Sequence, residues 1–275
     1  THMAVSNKFK QGFKEKYGPW ALITGASSGI GKELAAQLAE MGLNVILTGR
    51  SADRLLEVSE TLKSTFGVLS RTIPADLSSV SQVSELNEQI TTMPIGLFVA
   101  SAGFGTSGDF HRSDLDQEIA MLSVNNLALM VQTHHFAQKF AKQNRGGIIL
   151  MSSIVGFQGA PYAAHYAASK AFVQSLAEGL YHELRPHGVD VLAAAPGPVN
   201  SGFARVAHME MGNALEPSDV SLPILKALGQ KNTVFPGKLT KTLMFGLRTV
   251  PRWGKIRVMK RVMAGMTKNQ RKHAQ

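Results

Sequence analysis

Residues 20–31 read Trp20-Ala21-Leu22-Ile23-Thr24-Gly25-Ala26-Ser27-Ser28-Gly29-Ile30-Gly31. A short apolar run enters a glycine-rich turn, and the turn opens onto helix-forming residues that continue to Met41, before Gly42. Glycine at 25, 29 and 31 permits a tight turn and a close backbone approach, and the first N–H groups of the following helix are free to hold an anion. The stretch predicts strand, turn and helix, with a seat for the pyrophosphate of a cofactor. Its spacing is G-x-x-x-G-x-G, distinct from G-x-G-x-x-G.

Outward from this unit the alternation repeats. Apolar strands are expected at 44–48, 69–74, 95–100, 148–151 and 189–194, with a seventh starting at Val234-Phe235. Helical patterns fill 53–66, 80–91, 115–143 and 163–185. This order predicts an α/β fold: a Rossmann-type, doubly wound parallel sheet with helices on both faces, in a single domain. Ligands of such sheets bind beyond the carboxyl ends of the strands. The 275 residues suit one domain with short extensions. The expected division is an extension at 1–16, a catalytic domain at 17–237 and a tail at 238–275. Thr1-His2 before Met3 reads as a cloning remnant.

The chain has no cysteine, which excludes disulfides and thiolate metal sites and fits a reducing, cytoplasmic compartment. No run of apolar residues is long enough to predict a membrane-crossing helix, and the N-terminus lacks a signal-peptide core. The histidines form no convincing metal set. The net charge of +10 is unevenly placed. Twelve of the 29 Lys/Arg and none of the 19 Asp/Glu lie at 231–275, leaving 17 basic against 19 acidic residues elsewhere. Within the tail, Trp253, Ile256, Met259, Met263 and Met266 recur at three- and four-residue steps, with Arg252, Lys255, Arg257, Lys260 and Arg261 between them. This predicts a basic amphipathic helix that lies on an anionic membrane, docks on the body or contacts a partner subunit. No nucleic-acid recognition fold is evident, so no nucleic-acid partner is expected.

A second constellation carries chemistry. Tyr166 and Lys170 stand four apart, on one helix face, and Ser153 stands thirteen residues before Tyr166. An ammonium beside a phenol lowers a pKa that starts near ~10, and such a tyrosine can exchange a proton with a substrate oxygen.

With Thr24–Gly31 as T-G-x-x-x-G-x-G, Tyr166–Lys170 as Y-x-x-x-K and Ser153 on the strand before it, the chain resembles the single-domain branch of the short-chain dehydrogenase/reductase family. Asp76-Leu77, Val124-Asn125-Asn126-Leu127-Ala128 and Pro196-Gly197-Pro198-Val199-Asn200-Ser201 extend the likeness, which covers about Tyr17 to Gly237. The resemblance implies an oxidoreductase that reduces a carbonyl or oxidises the secondary alcohol. It casts Tyr166 as general acid/base, Lys170 as its tuner and a ribose ligand, Ser153 on the substrate oxygen and Asn125 in a water relay, with Asn126 as competitor for that role. Gly25, Ser27, Ser28, Gly29, Ile30 and Gly31 would seat the pyrophosphate. Asp76 and Leu77 would meet the adenine, although Asp76, Ser78 and Ser79 are also rival helix caps. Ala102 and Gly103 would pass the adenosine, and Pro196, Gly197, Val199 and Ser201 would hold the nicotinamide.

Two departures stand out. Ala100-Ser101-Ala102-Gly103 stands where the family has N-N-A-G, so the two asparagines that the resemblance would use to brace the central strands are absent. Strand two ends Gly49-Arg50, with no acid for a ribose hydroxyl. A guanidinium fits a 2′-phosphate, so NADP(H) is expected, with Arg50 as its ligand and help from Ser51, Ser28 and Arg54. Phe203, Val206, Met209, Met211 and Leu215, with Phe104, Phe110, Phe157 and Tyr162, are candidate walls for an apolar ketone or 3-oxoacyl substrate. His165, next to Tyr166, is read either as a residue that tunes the site or as a surface residue, with the surface role expected. A homo-oligomer through the long helices is expected. A membrane-associated lipid or steroid reductase and a non-catalytic NADP(H)-binding sensor are the alternatives.

Overall fold

A computed structural model describes residues 6–212 and 214–268. The first five residues, residue 213 and the end of the tail lie outside it. The strands are β1 (Trp20–Thr24), β2 (Asn44–Gly49), β3 (Ser70–Pro74), β4 (Ile95–Ala100), β5 (Gly146–Met151), β6 (Val189–Ala194) and β7 (Thr233–Val234). They form one parallel sheet in the order β3-β2-β1-β4-β5-β6-β7. The order reverses between β1 and β4, which opens a crevice beyond their carboxyl ends.

Both faces of the sheet are covered, so its strands are apolar on both sides and alternate between two cores. Ala21 and Ile23 of β1 face one core and Leu22 the other. Helices α1 (Asn7–Tyr17), α2 (Gly29–Glu40), α3 (Ala52–Phe66) and α9 (Pro217–Ala227) contribute to the first. Helices α4 (Val80–Ile90), α6 (Leu129–Gln143) and α7 (Ala164–Leu184) contribute to the second. A third, smaller cluster sits above the strand ends. It joins α5 (Leu115–Leu122), α7, the short α8 (Phe203–Val206) and its flank, and α11 (Arg252–Met266). Between α9 and α11 the chain adds β7 and α10 (Lys238–Gly246).

Two elements differ from the sequence reading. The stretch set apart as an extension is helical in α1, with Ser6 capping it by accepting from Phe9 N–H. Phe9, Phe13 and Tyr17, four apart, stack along one face and enter the first core. The Tyr17 hydroxyl donates to Asp190 at 2.6 Å, and Lys16 pairs with the same carboxylate at 2.5 Å. A Cβ at Gly96 would lie 2.6 Å from Tyr17 O and one at Gly147 2.9 Å from the Tyr17 ring, so the strands beneath α1 need glycine there. The single helix expected over 115–143 is divided by a π-helical turn, Ser123–Ala128, which contains both Asn125 and Asn126. Such turns are frequent at functional sites.

Candidate active site

The glycine turn is fixed by backbone. Gly25 and Gly29 have φ of 67° and 56°, values that favour glycine. A Cβ at Gly31 would stand 2.4 Å from Gly25 O, one at Gly25 2.8 Å from Ala102 Cα, and one at Gly29 2.7 Å from Ser201 Cβ. The turn therefore packs against the small Ala102-Gly103 pair on one side and the Pro196–Ser201 loop on the other. Ser28 occupies the cap position of α2 but makes no capping hydrogen bond, leaving its exposed hydroxyl and the helix N-terminus to face the crevice. This cradle, closed to any Cβ and rich in N–H donors, fits a dinucleotide pyrophosphate.

Beside it, Arg50 is exposed at the end of β2 and Gly49 is buried. Ser51 caps α3 by accepting from Arg54 N–H. Asp76 accepts from the Ser78 backbone at 3.0 Å and its hydroxyl at 2.8 Å. These bonds, opposed by burial and helped by the Arg50 charge, hold its carboxyl below the usual range. Ser79, not Asp76, caps α4.

The second group sits where β5, α7 and the π-turn meet. Lys170 donates to Met151 O at 2.9 Å, and Ser152 donates to Lys170 O at 3.1 Å, tying α7 to the end of β5. Ser153 follows directly and caps a short 3-10 turn, Ile154–Phe157. A Cβ at Gly156 would meet the Lys170 backbone at 2.8 Å, so this turn can lie close to α7 only with glycine there. Tyr166 and Lys170 are buried, at 9% and 5% exposure, with the ammonium 5.8 Å from the tyrosine ring centre.

Burial sets their protonation. It pushes the Tyr166 phenol above its ordinary range, against a hydrogen bond with Ser153 that lowers it. It lowers the Lys170 ammonium to about 8. The expected depression of Tyr166 by Lys170 is not found: desolvation dominates and favours the neutral phenol.

Asn125 is fully buried and satisfied. It accepts from Phe104 N–H at 3.1 Å and donates to Phe104 O at 2.8 Å and to Ser169 Oγ at 3.2 Å. Asn126 donates to Ser169 O at 2.9 Å. Both asparagines thus brace the turn of α7 that carries Lys170. In place of the missing family asparagines, Thr24 Oγ1 accepts from Ala102 N–H at 2.9 Å and joins β1 to the loop after β4.

A single open cleft of about 1120 Å³ unites these features. It is lined by the glycine turn, Arg50, Ser51, Asp76, Leu77, Ala102, Gly103, Ser153, Tyr166, Lys170 and the Pro196–Ser201 loop. Asn125 lies behind this surface. Of the expected apolar walls, Phe104, Phe203, Val206, Met209 and Met211 line the cleft. Phe203 packs on the Tyr166 ring at 5.1 Å, over Gly105, where a Cβ would clash with it at 2.5 Å. The others are placed elsewhere. Phe157 packs on Phe235, Phe110 is exposed, Tyr162 borders a separate small hollow, and Leu215 pairs its backbone with Pro198 and Asn200.

Sequence reasoning left two placements open. Helix α11 folds back over the site, with Met259 and Met263 buried against the Tyr166 cluster and Met259, Val262, Met263 and Met266 lining the cleft. Of the three tail arrangements, docking on the body is the one seen. The methionine stripe was the available signal. His165, expected at the surface, is half-buried and held by a buried partner. Its Nδ1 stands 2.6 Å from buried Glu118, which also accepts from Thr106 at 2.9 Å. Nothing in the sequence links residues so far apart.

A family profile described as short chain dehydrogenase matches residues 19–211. The chain is 30% identical over 236 residues to a 7beta-hydroxysteroid dehydrogenase of Clostridium sardiniense, covering 84% of this chain and 90% of that protein. It is 36% identical over 202 residues to a very-long-chain 3-oxoacyl-CoA reductase of Meyerozyma guilliermondii, covering 70% and 59%. Among solved structures, one described for 7beta-hydroxysteroid dehydrogenase stereoselectivity superposes with a TM-score of 0.83 at 26% identity, covering 90% of this chain and 98% of that one. A short-chain dehydrogenase from Sphingobium yanoikuyae in complex with NADPH superposes at 0.77 and 26% identity, covering 85% and 98%. With the matched region spanning β1 to β6, the glycine cradle and the Ser153, Tyr166 and Lys170 group, the chain belongs to the short-chain dehydrogenase family of oxidoreductases.

Proposed function

We propose that the protein is an NADP(H)-dependent reductase of an apolar ketone or 3-oxoacyl group, able to oxidise the corresponding secondary alcohol. The observation that carries this reading is the opening of Ser153, Tyr166 and Lys170 into one cleft with the glycine cradle at one end and Phe203, Met209 and Met263 at the other. NADPH, when bound, supplies the hydride. The Tyr166 hydroxyl donates the proton to the substrate oxygen, which Ser153 holds by a hydrogen bond. A buried neutral phenol is the form that reduction needs. Lys170 binds the nicotinamide ribose and replenishes the tyrosine proton through a relay that Asn125 supports. Arg50 and Ser28 take the 2′-phosphate, Ser51 assists, and Asp76 accepts from the adenine amino group. Pro196, Gly197, Val199 and Ser201 hold the nicotinamide.

The names of the relatives support a steroid-sized or acyl-chain substrate, and the methionine-rich wall suits one because methionine adapts to shape. We also propose a homo-oligomer. Leu115, Ile119, Leu122 and Met130 form an exposed apolar stripe along α5 and α6, with Phe172 exposed on α7. Loss of reduced-nicotinamide absorbance with oxosteroids, 3-oxoacyl thioesters and small ketones tests the reaction. Binding of NADPH without turnover of any carbonyl would support the sensor reading. Sedimentation tests the assembly, and a monomer would remove that part.

A further inference from the structure

Helices α10 and α11 carry two kinds of surface. Their inner sides are buried: Thr240 and the following Leu247 in one, Met259, Met263 and the following Thr267 in the other. Much of the stripe once free to enter a membrane is thus used in packing on the body. A different set of large side chains points outward. Leu239 is 67% exposed, Phe245 73% and Trp253 63%, with Leu243, Val258 and Val262 also exposed. Around them stand Lys238, Lys241, Arg248, Arg252, Lys255, Arg257, Lys260, Arg261 and Lys268, of which only Lys255 is partly buried. No Asp or Glu follows Asp219 in the whole chain. Among the described residues none of these nine cations forms an ion pair. Arg257 stacks on Trp253 with its guanidinium 5.0 Å from the ring centre.

We propose that this outward face of α10 and α11 binds the surface of an anionic phospholipid bilayer, with Leu239, Phe245 and Trp253 entering the headgroup region. The cations match anionic headgroups in sign, and each acts over about a Debye length of ~8 Å at physiological salt. Isolated protruding Trp, Phe and Leu side chains suit the interface of a bilayer, which deforms around them. A partner protein would need a matched pocket for each one. A second copy of this chain is disfavoured because two such faces repel. No helix among the described residues is long and apolar enough to cross a membrane, so the contact is peripheral. Val262 is both exposed and at the rim of the cleft, so the bound face lies beside the cleft mouth. Entry of a lipid-dissolved substrate there rests on the proposed function; the binding itself does not.

The test is co-sedimentation of the full chain, without cofactor or substrate, with vesicles of phosphatidylcholine alone or mixed with phosphatidylglycerol. The expected result is binding to the mixed vesicles only, weakening as salt rises. Lys241→Glu with Arg257→Glu, and separately Phe245→Ser with Trp253→Ser, are expected to reduce binding at least ~10-fold. Every substituted side chain is exposed, so melting temperature and turnover of a small water-soluble ketone are expected to be unchanged. Failure of the intact protein to bind, or equal binding by the charge-reversed variant, overturns the proposal. So does an assembly that the same substitutions split, which would make the face a subunit contact. Retained activity with lost vesicle binding leaves the reductase reading standing.

Discussion

At the glycine-rich end of the cleft the wall is main chain. At the methionine-rich end it is side chains borrowed from three distant segments. Gly25, Gly29 and Gly31 leave less than 3 Å for an added Cβ, with backbone or the Ser201 Cβ as the obstacle. Phe104, Phe203 to Met211, and Met259 to Met266 instead meet through flexible thioethers and rings. The first end can tolerate almost no change of shape, whereas the second can adjust. Ser153, Tyr166 and Lys170 stand where the two ends join.

The largest effect is expected at that join. Tyr166→Phe keeps the ring on Phe203 but removes the proton donor, so kcat is expected to fall ~10²–10⁴-fold, the usual range for a general acid. NADPH affinity measured by fluorescence titration is expected to be unchanged. Substantial turnover would transfer the proton step to another group and leave the join without its chemistry.

Gly31→Ala comes next. The added methyl carbon would start 2.4 Å from Gly25 O, and neither backbone can yield without displacing the turn. We expect cofactor affinity to fall by more than ~10-fold, or the folded yield to collapse, a shift of at least the ~1–3 kcal/mol that overpacking costs. Normal affinity would show the rigid end to be soft and break the contrast. Arg50→Ala is milder, because the side chain is exposed and only ligand contacts are lost. The NADPH-over-NADH ratio of kcat/KM is expected to drop ~10–100-fold, as for a charge-assisted hydrogen bond of ~1.5–3 kcal/mol. An unchanged ratio would move the 2′-phosphate to Ser28 or Arg54.

The contrast also explains what was legible in the sequence. Local chemistry is written in short stretches. The G-x-x-x-G-x-G turn, the four-residue step from Tyr166 to Lys170 and the strand alternation each lie within one or two elements, and the sheet and the lining of the rigid end follow from them. The partner of an amphipathic face is not written locally. The Met259 and Met263 stripe was visible, but its landing place on Ala160, Ala163 and Met209 depends on tertiary folding. The same holds for Glu118 with His165, joined across 47 positions. The helical step from Phe9 through Phe13 to Tyr17 crosses the boundary between the extension at 1–16 and the domain at 17–237, so its anchoring in the first core is visible only in the fold.

Protonation sharpens the comparison at the join. Lys170, lowered to about 8 by burial, keeps its ammonium below that pH and loses it as pH rises through it. Tyr166 is shifted the other way, so its proton stays on across that window. The kcat/KM for NADPH is therefore expected to decline above about pH 8, approaching tenfold per unit. Lys170→Met is expected to be slow and to lack this limb. A flat profile to about pH 10 would show that Lys170 keeps its ordinary value in the free enzyme.

The smallest effect is expected at the adaptable end. Met263→Leu conserves volume and apolarity, and such swaps usually cost less than ~1.5 kcal/mol. Met263 is only 2% exposed, packed within the Tyr166 cluster, so a branched Leu must shift its neighbours slightly rather than leave a void. We expect melting temperature to fall by a few degrees at most, on the scale of ~2–4 °C per kcal/mol for a chain of this size. NADPH affinity is expected to be unchanged, and KM is expected to change less than ~10-fold, by different factors for a flat ring substrate and a flexible acyl chain. Equal shifts for both would mean that Met263 packs α11 onto the body without touching substrate. A loss of NADPH affinity as large as that of Gly31→Ala would mean that the two ends move together, and that the rigid cradle depends on the helix folded over the other end.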